Sequence, residues 1–266
     1  MLGKLMKYEF KACGRTFFPL YVGILLFSAI NGVNFKSESL EGVFIDSHSD
    51  GVRNILMLVL FALFVALFVI TILLTIQRFK KNLLDDEGYL MFTLPVKSSN
   101  LILSKLLVAL IYAIISVIVA SLSFFIIGAI SGEINIVEFF EAFAQLNFLD
   151  GYIEFVIYMI LNLLISYIIS VLTIYLSLST GQLPQLSKHR VAAGVILFFV
   201  INLIINNIQN FVRHNLFVGM PGVNLANNFT ASDYIYLSMD LIISLVIALI
   251  LFLLTNWILN KKLNLE

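Results

Sequence analysis

Residues 85–96, DDEGYLMFTLPV, place three consecutive carboxylates directly before aromatic and apolar side chains, in a chain that otherwise carries little charge. We call these residues the docking segment. Carboxylates favour the amino-terminal end of a helix because they interact with the positive end of its dipole. Pro95 disfavours helical geometry in the residue before it, so the helix has room for about two turns. Such a helix is too short to be stable alone, and the pattern therefore predicts that its aromatic residues fill a groove on another protein.

The lipid headgroups are the alternative environment for these apolar side chains, since aromatic residues are common there. Two features favour a protein partner. The carboxylates at 85–87 would be repelled by anionic lipid, and the segment has a defined start and stop. After Pro95, the residues Ser98, Ser99 and Asn100 are predicted to cap the next helix.

Other residues that could perform chemistry do not form a recognisable site. The sequence contains no G-x-x-x-x-G-K-[ST] phosphate loop, no H-E-x-x-H zinc helix and no G-x-S-x-G nucleophile elbow. His48, His189 and His214 are predicted to fall in different loops, which argues against a shared metal or catalytic site. Cys13 is the single cysteine, so an internal disulfide is excluded. We expect no catalytic site, no metal site and no cofactor in this chain.

Composition defines the elements that must position the docking segment. The chain has 266 residues, of which 61% are hydrophobic and 12% charged, and its mean hydropathy is +1.02. A helix needs about 20 apolar residues to cross a bilayer, and lipid permits only backbones that satisfy their own hydrogen bonds. The sequence therefore predicts an all-α polytopic membrane protein with a single transmembrane domain over residues 1–266. The six predicted spans are about 16–35, 54–77, 101–131, 152–178, 191–211 and 236–259.

The distribution of basic residues predicts the orientation of these spans. Thirteen of the 16 Lys and Arg residues fall on one side: at the amino terminus, between spans two and three or, for Lys105, at the start of span three, between spans four and five, and after span six. By the positive-inside rule that side is cytoplasmic, and both termini lie there. The loop of about 78–100, which contains the docking segment, is then cytoplasmic, and the segment of about 212–235 is outside. The outer segment is predicted to be either a re-entrant element or an ordinary loop.

The span interiors lack the ionisable residues that proton-driven or ion-driven transporters use in mid-membrane. Glu154 and Asp240 occur within the first turns of their spans and are interpreted as interfacial. The asparagines in or near spans four and five are predicted to bond to neighbouring helices, with substrate contact as the alternative; they are Asn162, Asn202, Asn206 and Asn207. The energy source is therefore expected to be a separate partner.

Residues of about 2–15 predict an amphipathic helix that lies at the membrane surface. Lys4, Lys7, Lys11 and Arg15 share one face, and apolar residues occupy the other. Glu9 projects into the middle of the apolar face. It is predicted either to snorkel to the headgroups or to pair with Arg78 or Lys80 of the loop that follows span two.

Two quoted stretches carry a resemblance to a known family. The run FKKNLLDDEGYLMFTLPVKSSNLILSKLL resembles the first cytoplasmic loop of permease subunits of ABC-2 type transporters from low-GC Gram-positive bacteria, and LGKLMKYEFKACGRTFFPLY is similar to their amino-terminal stretch. The resemblance implies a coupling helix that inserts into a separate ATPase subunit, which binds ATP and Mg. It also implies an interfacial elbow helix and a second permease subunit, identical or related. The implied ATPase contacts are Asp86, Glu87, Gly88, Tyr89, Phe92, Thr93 and Pro95. The matching core of the elbow helix is Lys7, Tyr8, Glu9 and Lys11.

These observations together lead to a functional expectation. We expect the permease subunit of an ATP-driven exporter in a bacterial cytoplasmic membrane, with the lipid bilayer and the ATPase as partners and no nucleic acid. Its substrate would be amphipathic: a peptide antibiotic, a lipid or a drug. The alternative is a non-transporting sensor or immunity subunit that binds a peptide antibiotic. An intramembrane enzyme is disfavoured by the missing motifs.

Overall fold

The structure is a computed structural model that describes residues 2–40, 47–84, 97–132, 135, 137, 141, 152–183, 189–216 and 231–261. Long α-helices account for nearly all of these residues. In chain order they are α1 (Leu2–Leu40), α2 (Ser47–Leu83), α3 (Ser98–Ser131), α4 (Tyr152–Gly181), α5 (Arg190–Leu216) and α6 (Ala231–Lys261).

Each of these helices contains a stretch that is long and apolar enough to cross a membrane. The six stretches are Leu2–Phe35, Gly51–Leu83, Ser98–Ser131, Glu154–Gly181, Arg190–Val212 and Ile235–Asn260. The shortest has 23 residues, which exceeds the roughly 20 that a bilayer core requires. The length and composition of the helices therefore confirm the prediction of an all-α, multi-pass membrane protein.

The first helix differs from the sequence prediction in its continuity. Residues 2–15, predicted as a separate elbow helix, form the beginning of α1, which continues through Pro19 to Leu40. The predicted division into two faces is present: Lys4, Lys7, Lys11 and Arg15 are exposed, whereas Glu9 and Cys13 are buried. The structure thus shows an amphipathic stretch at the start of α1 but does not show a separate elbow helix.

The helices belong to two compact units. The amino-terminal unit comprises Gly3–Leu74 and Leu107–Gln145, and the carboxy-terminal unit comprises Met1–Leu2, Thr75–Leu106 and Leu146–Glu266. The end of α2 and the start of α3 therefore belong to the same unit as α4, α5 and α6.

An aromatic stack joins α1 to α3 in the amino-terminal unit. The ring of Tyr112 lies between Phe10 and Phe17, with centroid distances of 4.8 and 4.6 Å. Its hydroxyl donates a hydrogen bond of 2.7 Å to the carbonyl oxygen of Phe10. One helical turn further along α3, Ser116 Oγ lies 2.9 Å from the hydroxyl of Tyr21. Aromatic pairs of this kind stabilise by about 0.5–1.5 kcal/mol beyond the area they bury.

The far end of the same unit is held by a close backbone approach. A Cβ atom added at Gly32 would lie 2.8 Å from the Cβ of Ile130 and 3.2 Å from the carbonyl oxygen of Ile127. Only glycine permits α1 and α3 to approach so closely. Nearby, Asn31 Nδ2 donates to the carbonyl oxygen of Leu56 on α2 at 3.4 Å.

In the carboxy-terminal unit, α4 packs against both α5 and α6. Near their connection the backbones of α4 and α5 approach closely. A Cβ added at Gly181 would lie 2.9 Å from the carbonyl oxygen of Arg190 and 3.3 Å from the amide nitrogen of Gly194. The absence of a side chain at Gly181 therefore lets the two helices meet backbone to backbone.

Candidate functional site

The docking segment lies outside the described residues, but both of its flanks are described. All seven residues that the resemblance assigns to an ATPase contact fall in it: Asp86, Glu87, Gly88, Tyr89, Phe92, Thr93 and Pro95. Their roles stay predictions. The structure describes where the chain leaves α2, through Leu84, and where it returns, at Lys97.

The incoming flank is anchored by an aromatic pair. Phe79, near the end of α2, is fully buried, and its ring stacks on Tyr175 of α4 with centroids 4.0 Å apart and planes 10° from parallel. Leu83 and Leu84 are also buried, whereas Lys81 is exposed. Basic residues in the last turn of a helix interact favourably with its negative dipole end. The last turn of α2 is therefore packed on one side and charged on the other.

The outgoing flank is anchored by hydrogen bonds to α6. Ser98 Oγ donates to Asn260 Oδ1 at 2.6 Å, and Ser99 Oγ donates to Asn256 Oδ1 at 3.1 Å. Asn260 Nδ2 donates in turn to Asn256 Oδ1 at 3.1 Å. Because Asn256 and Asn260 are four residues apart, they share one face of α6. These four residues form what we call the serine–asparagine clamp.

The serine–asparagine clamp lies at the start of α3. The predicted boundary is correct, since α3 begins at Ser98. The hydroxyls of Ser98 and Ser99 donate to α6. Their predicted role as helix caps, in which the serine oxygen accepts a hydrogen bond from a backbone N–H, stays a prediction. Residues just inside α3 are buried as well: Ile102 is fully covered, and Lys105, counted from the sequence among the cytoplasmic charges, is only 5% exposed.

The proposed elbow residues differ in exposure. Lys7, Tyr8 and Lys11 are exposed, and Tyr8 is 73% accessible. The side chain of Glu9 is 9% exposed, so it is not directed into solvent as a snorkelling carboxylate would be. Its pairing with Arg78 or Lys80 stays a prediction. The exposed trio can contact lipid headgroups or a partner.

A second polar cluster links α4 to α6, and we call it the Asp240 cluster. Tyr158 Oη donates to Asp240 Oδ2 at 2.8 Å, and Asn162 Nδ2 donates to the same oxygen at 3.1 Å. Asn162 Nδ2 also lies 3.3 Å from Tyr158 Oη. Asp240 is 3% exposed. Sequence reasoning placed Asp240 correctly near a span end but missed that it is buried, because its partners are on a distant part of the chain.

Three of the four span asparagines form hydrogen bonds that divide them into two groups, and for Asn206 the prediction stays untested. Asn162 bonds to the neighbouring helix, as predicted. Asn202 and Asn207 instead donate to carbonyl oxygens of their own helix, at Phe198 and Leu203. Each Nδ2 group thus has a hydrogen-bond acceptor within α5 and does not depend on a neighbouring helix for it.

Within the described residues no three His, Cys, Asp or Glu side chains converge as metal ligands. Comparison with known proteins adds no assignment: no protein-family model, no curated protein and no solved structure matches the chain.

Proposed function

We propose that this chain is the membrane subunit of an ATP-driven exporter, in which the docking segment inserts into a separate ATPase. The observation that supports this most is the attachment of both ends of the segment. Phe79 on the incoming side and Ser98 on the outgoing side are each fixed to the carboxy-terminal unit. A force on the segment is then delivered to α4 and α6 together, because each flank holds one of these helices.

Helix α6 provides a route for that force across the membrane. Its Asn256 belongs to the serine–asparagine clamp, and its Asp240 belongs to the Asp240 cluster. Sixteen residues separate the two, or about 24 Å at 1.5 Å per residue. A movement imposed at the cytoplasmic end therefore changes the α4–α6 contact near the outer end. Rigid helices with two arrangements are the usual means of alternating access.

The energy for this movement comes from the partner. ATP closes the ATPase dimer, the docking segment follows, and the transmembrane helices reorient around an amphipathic substrate. The sequence has no phosphate loop, which supports a separate subunit as the site of ATP hydrolysis. The exposed basic residues Lys7 and Lys11 hold the start of α1 at the anionic headgroups.

Reconstitution of the purified chain, with and without its ATPase, tests the proposal. The chain alone should neither bind nor hydrolyse ATP. In inverted vesicles, uptake of the amphiphile that co-purifies with the complex, identified by mass spectrometry, should require both the ATPase and ATP. Uptake should persist when a protonophore collapses the proton gradient.

Two outcomes contradict the proposal. One is transport by the chain alone under a proton gradient. The other is a complex that binds the amphiphile and hydrolyses ATP but leaves the amphiphile on its original side, which is the behaviour of a sensor subunit.

A further inference from the structure

A groove of about 590 Å³ lies on the surface of α6 near its carboxyl end, and we call it the α6 groove. Its volume is within the range of roughly 300–1,000 Å³ that ligand sites have. Ten residues, or about 15 Å at 1.5 Å per residue, separate its first lining residue from its last. That length is half of a bilayer core of about 30 Å, which is the depth of one leaflet. The described residues that line the groove all belong to α6: Ile250, Leu253, Leu254, Asn256, Trp257 and Asn260.

The lining changes from apolar to polar towards the end of the span. The aliphatic residues at 250, 253 and 254 are 44–54% exposed. The two asparagines and Trp257 follow them, and Asn260 is the last residue of the apolar stretch Ile235–Asn260. Tryptophan is enriched at the depth of the lipid headgroups. The groove therefore has the polarity of a single lipid molecule, with an apolar part inside the core and a hydrogen-bonding part at the headgroups.

Asn256 holds a hydrogen-bond donor that the serine–asparagine clamp does not use. Its Oδ1 atom accepts from Ser99 Oγ and from Asn260 Nδ2, both at 3.1 Å. Among the described residues, no acceptor is bonded to Asn256 Nδ2. The side chain is half-buried and lines the groove, so an acceptor in the groove can reach this nitrogen. An amide nitrogen can donate two hydrogen bonds.

Positive charge follows the groove along the chain. Helix α6 ends at Lys261, and Lys262 comes next in the sequence. Basic residues directly after a membrane span attract anionic phospholipids. A phosphate group accepts hydrogen bonds and carries negative charge, so it matches both the asparagine donor and the lysines. A helix of another protein would match only the apolar part, because its backbone acceptors are already bonded within the helix.

From these features we infer that the α6 groove binds one anionic phospholipid, such as phosphatidylglycerol. Its acyl chain lies along Ile250, Leu253 and Leu254, and its phosphate accepts a hydrogen bond from Asn256 Nδ2. Since Asn256 also belongs to the serine–asparagine clamp, the bound phosphate lies beside the contact that fixes the start of α3. The lipid is a resident ligand of the chain, so the inference does not depend on the proposed exporter function.

Trp257 provides a reporter in the groove. It is the only tryptophan of the chain and is 47% exposed. The full chain in detergent micelles is titrated with phosphatidylglycerol that carries bromine on its acyl chains, because bromine quenches tryptophan fluorescence on contact. Quenching should saturate, and native mass spectrometry should show one bound lipid per chain. Unbrominated phosphatidylglycerol should reverse the quenching at a concentration at least fivefold below that of phosphatidylcholine, which has a phosphate but no net charge.

Two leucines of nearly equal exposure provide matched variants. Leu253 lines the groove and is 54% exposed, whereas Leu245, eight residues earlier on α6, is outside the lining and is 56% exposed. Leu253→Phe fills part of the groove and should weaken binding of phosphatidylglycerol at least fivefold. Leu245→Phe should change it less than twofold. Both substitutions are at exposed positions, so this comparison holds even where a change in the clamp prevents folding.

Asn256→Asp tests the donor. Aspartate keeps an oxygen for the bonds from Ser99 and Asn260 but replaces the Nδ2 donor with a second negatively charged oxygen. Binding of phosphatidylglycerol should weaken at least tenfold. Asn207→Asp adds the same charge at an exposed position of α5 and should leave binding within twofold.

Four results overturn the inference. Absence of quenching would show that a protein segment, or a second copy of the chain, covers the groove. Quenching that rises linearly with added lipid would show only mixing within the micelle. Equal competition by the two lipids would show that charge is not selected, and equal effects of Leu253→Phe and Leu245→Phe would place the lipid elsewhere. None of these measurements includes an ATPase, so the lipid site and the exporter proposal can fail separately.

Discussion

The rings of Phe79 and Tyr175 stack almost parallel with centroids 4.0 Å apart, and both side chains are buried. Phe79 lies five residues before the last residue described on the incoming flank, Leu84. Tyr175 lies in α4, which also holds Tyr158 and Asn162 of the Asp240 cluster. The stack therefore fixes the end of α2 to the helix that carries two residues of the Asp240 cluster.

Loss of this stack should destabilise the protein and reduce coupling. Phe79→Ala removes a fully buried aromatic ring, a change that costs about 3–5 kcal/mol in protein cores. We expect a lower Tm in detergent and a smaller stimulation of ATP hydrolysis by substrate in the complex. Phe68→Ala is the matched control, because the Phe68 ring is 67% exposed and its loss should change Tm little. Equal Tm values for the two variants would contradict the anchoring role of the stack.

The sequence carried enough information to predict the spans but not the stack. Six long apolar runs identify six spans because lipid permits few other solutions. The start of α3 was predictable from a short local pattern, Pro95 followed by Ser98 and Ser99. The contacts of Phe79, Ser98 and Asp240 reach 96, 162 and about 80 residues along the chain. Such contacts depend on how whole helices pack against one another, and the hydropathy of the sequence does not predict that packing.

The amino-terminal helix shows a second limit of sequence reasoning. Amphipathicity over residues 2–15 predicted the two faces correctly, since the periodicity of a helix determines them. It did not predict that the helix continues into the first span. A proline such as Pro19 breaks a helix only when the backbone groups that it leaves without a hydrogen bond are not satisfied elsewhere. Membrane helices commonly contain proline for this reason.

The serine–asparagine clamp should give a measurable coupling energy. In a double-mutant cycle, Ser98→Ala and Asn260→Ala should show an interaction of about 0.5–1.5 kcal/mol, the usual net value of a hydrogen bond. Free energies of unfolding can be measured in mixed micelles. Ser170→Ala with Asn260→Ala is the control, since Ser170 donates within α4. Strict additivity of the first pair would show that the clamp contributes nothing.

A methyl group at Gly181 should be poorly tolerated. The added Cβ would meet backbone atoms of Arg190 and Gly194 at 2.9 and 3.3 Å, and backbone cannot move as cheaply as a side chain. Overpacking of this kind costs about 1–3 kcal/mol, so Gly181→Ala should lower Tm.

Gly23 provides the opposite case within the same chain. It is inside α1, and a Cβ there would have no neighbour within 4 Å. Gly23→Ala should therefore stabilise the helix by roughly 0.5–1 kcal/mol. If Gly181→Ala and Gly23→Ala shift Tm in the same direction, the close approach of α4 and α5 at Gly181 does not limit the stability of the protein.

The predicted orientation is accessible to cysteine labelling. Lys97 and Glu141 are both exposed, and Cys13, which is buried, is replaced by serine. In intact cells an impermeant maleimide should label Glu141→Cys but not Lys97→Cys, because thirteen of the 16 basic residues fall on the side of Lys97. Permeabilised cells should show labelling of both. The reverse pattern in intact cells would invert the topology and place the docking segment outside.

The docking segment itself gives the most direct prediction. If Tyr89 and Phe92 fill a groove on the ATPase, truncation of each should cost on the order of 2 kcal/mol or more, as for an interface hot spot. Tyr89→Ala with Phe92→Ala should therefore release the ATPase from the detergent-solubilised complex, measured as stoichiometry after affinity purification. Phe139→Ala with Phe143→Ala, an equally drastic change in a predicted outer loop, should leave it bound.

The acidic residues of the segment should contribute differently from the aromatic ones. Asp86→Lys with Glu87→Lys should weaken docking more at low than at high salt, because exposed charges are screened over about 10 Å at 0.1 M. The aromatic variants should show no such dependence, since apolar burial is insensitive to the Debye length. Phe79 and Ser98 still fix both flanks in all of these variants, so the helices should insert and retain the wild-type Tm. An ATPase that stays at wild-type stoichiometry on the Tyr89→Ala, Phe92→Ala chain would leave the segment as a connector that lies on the headgroups.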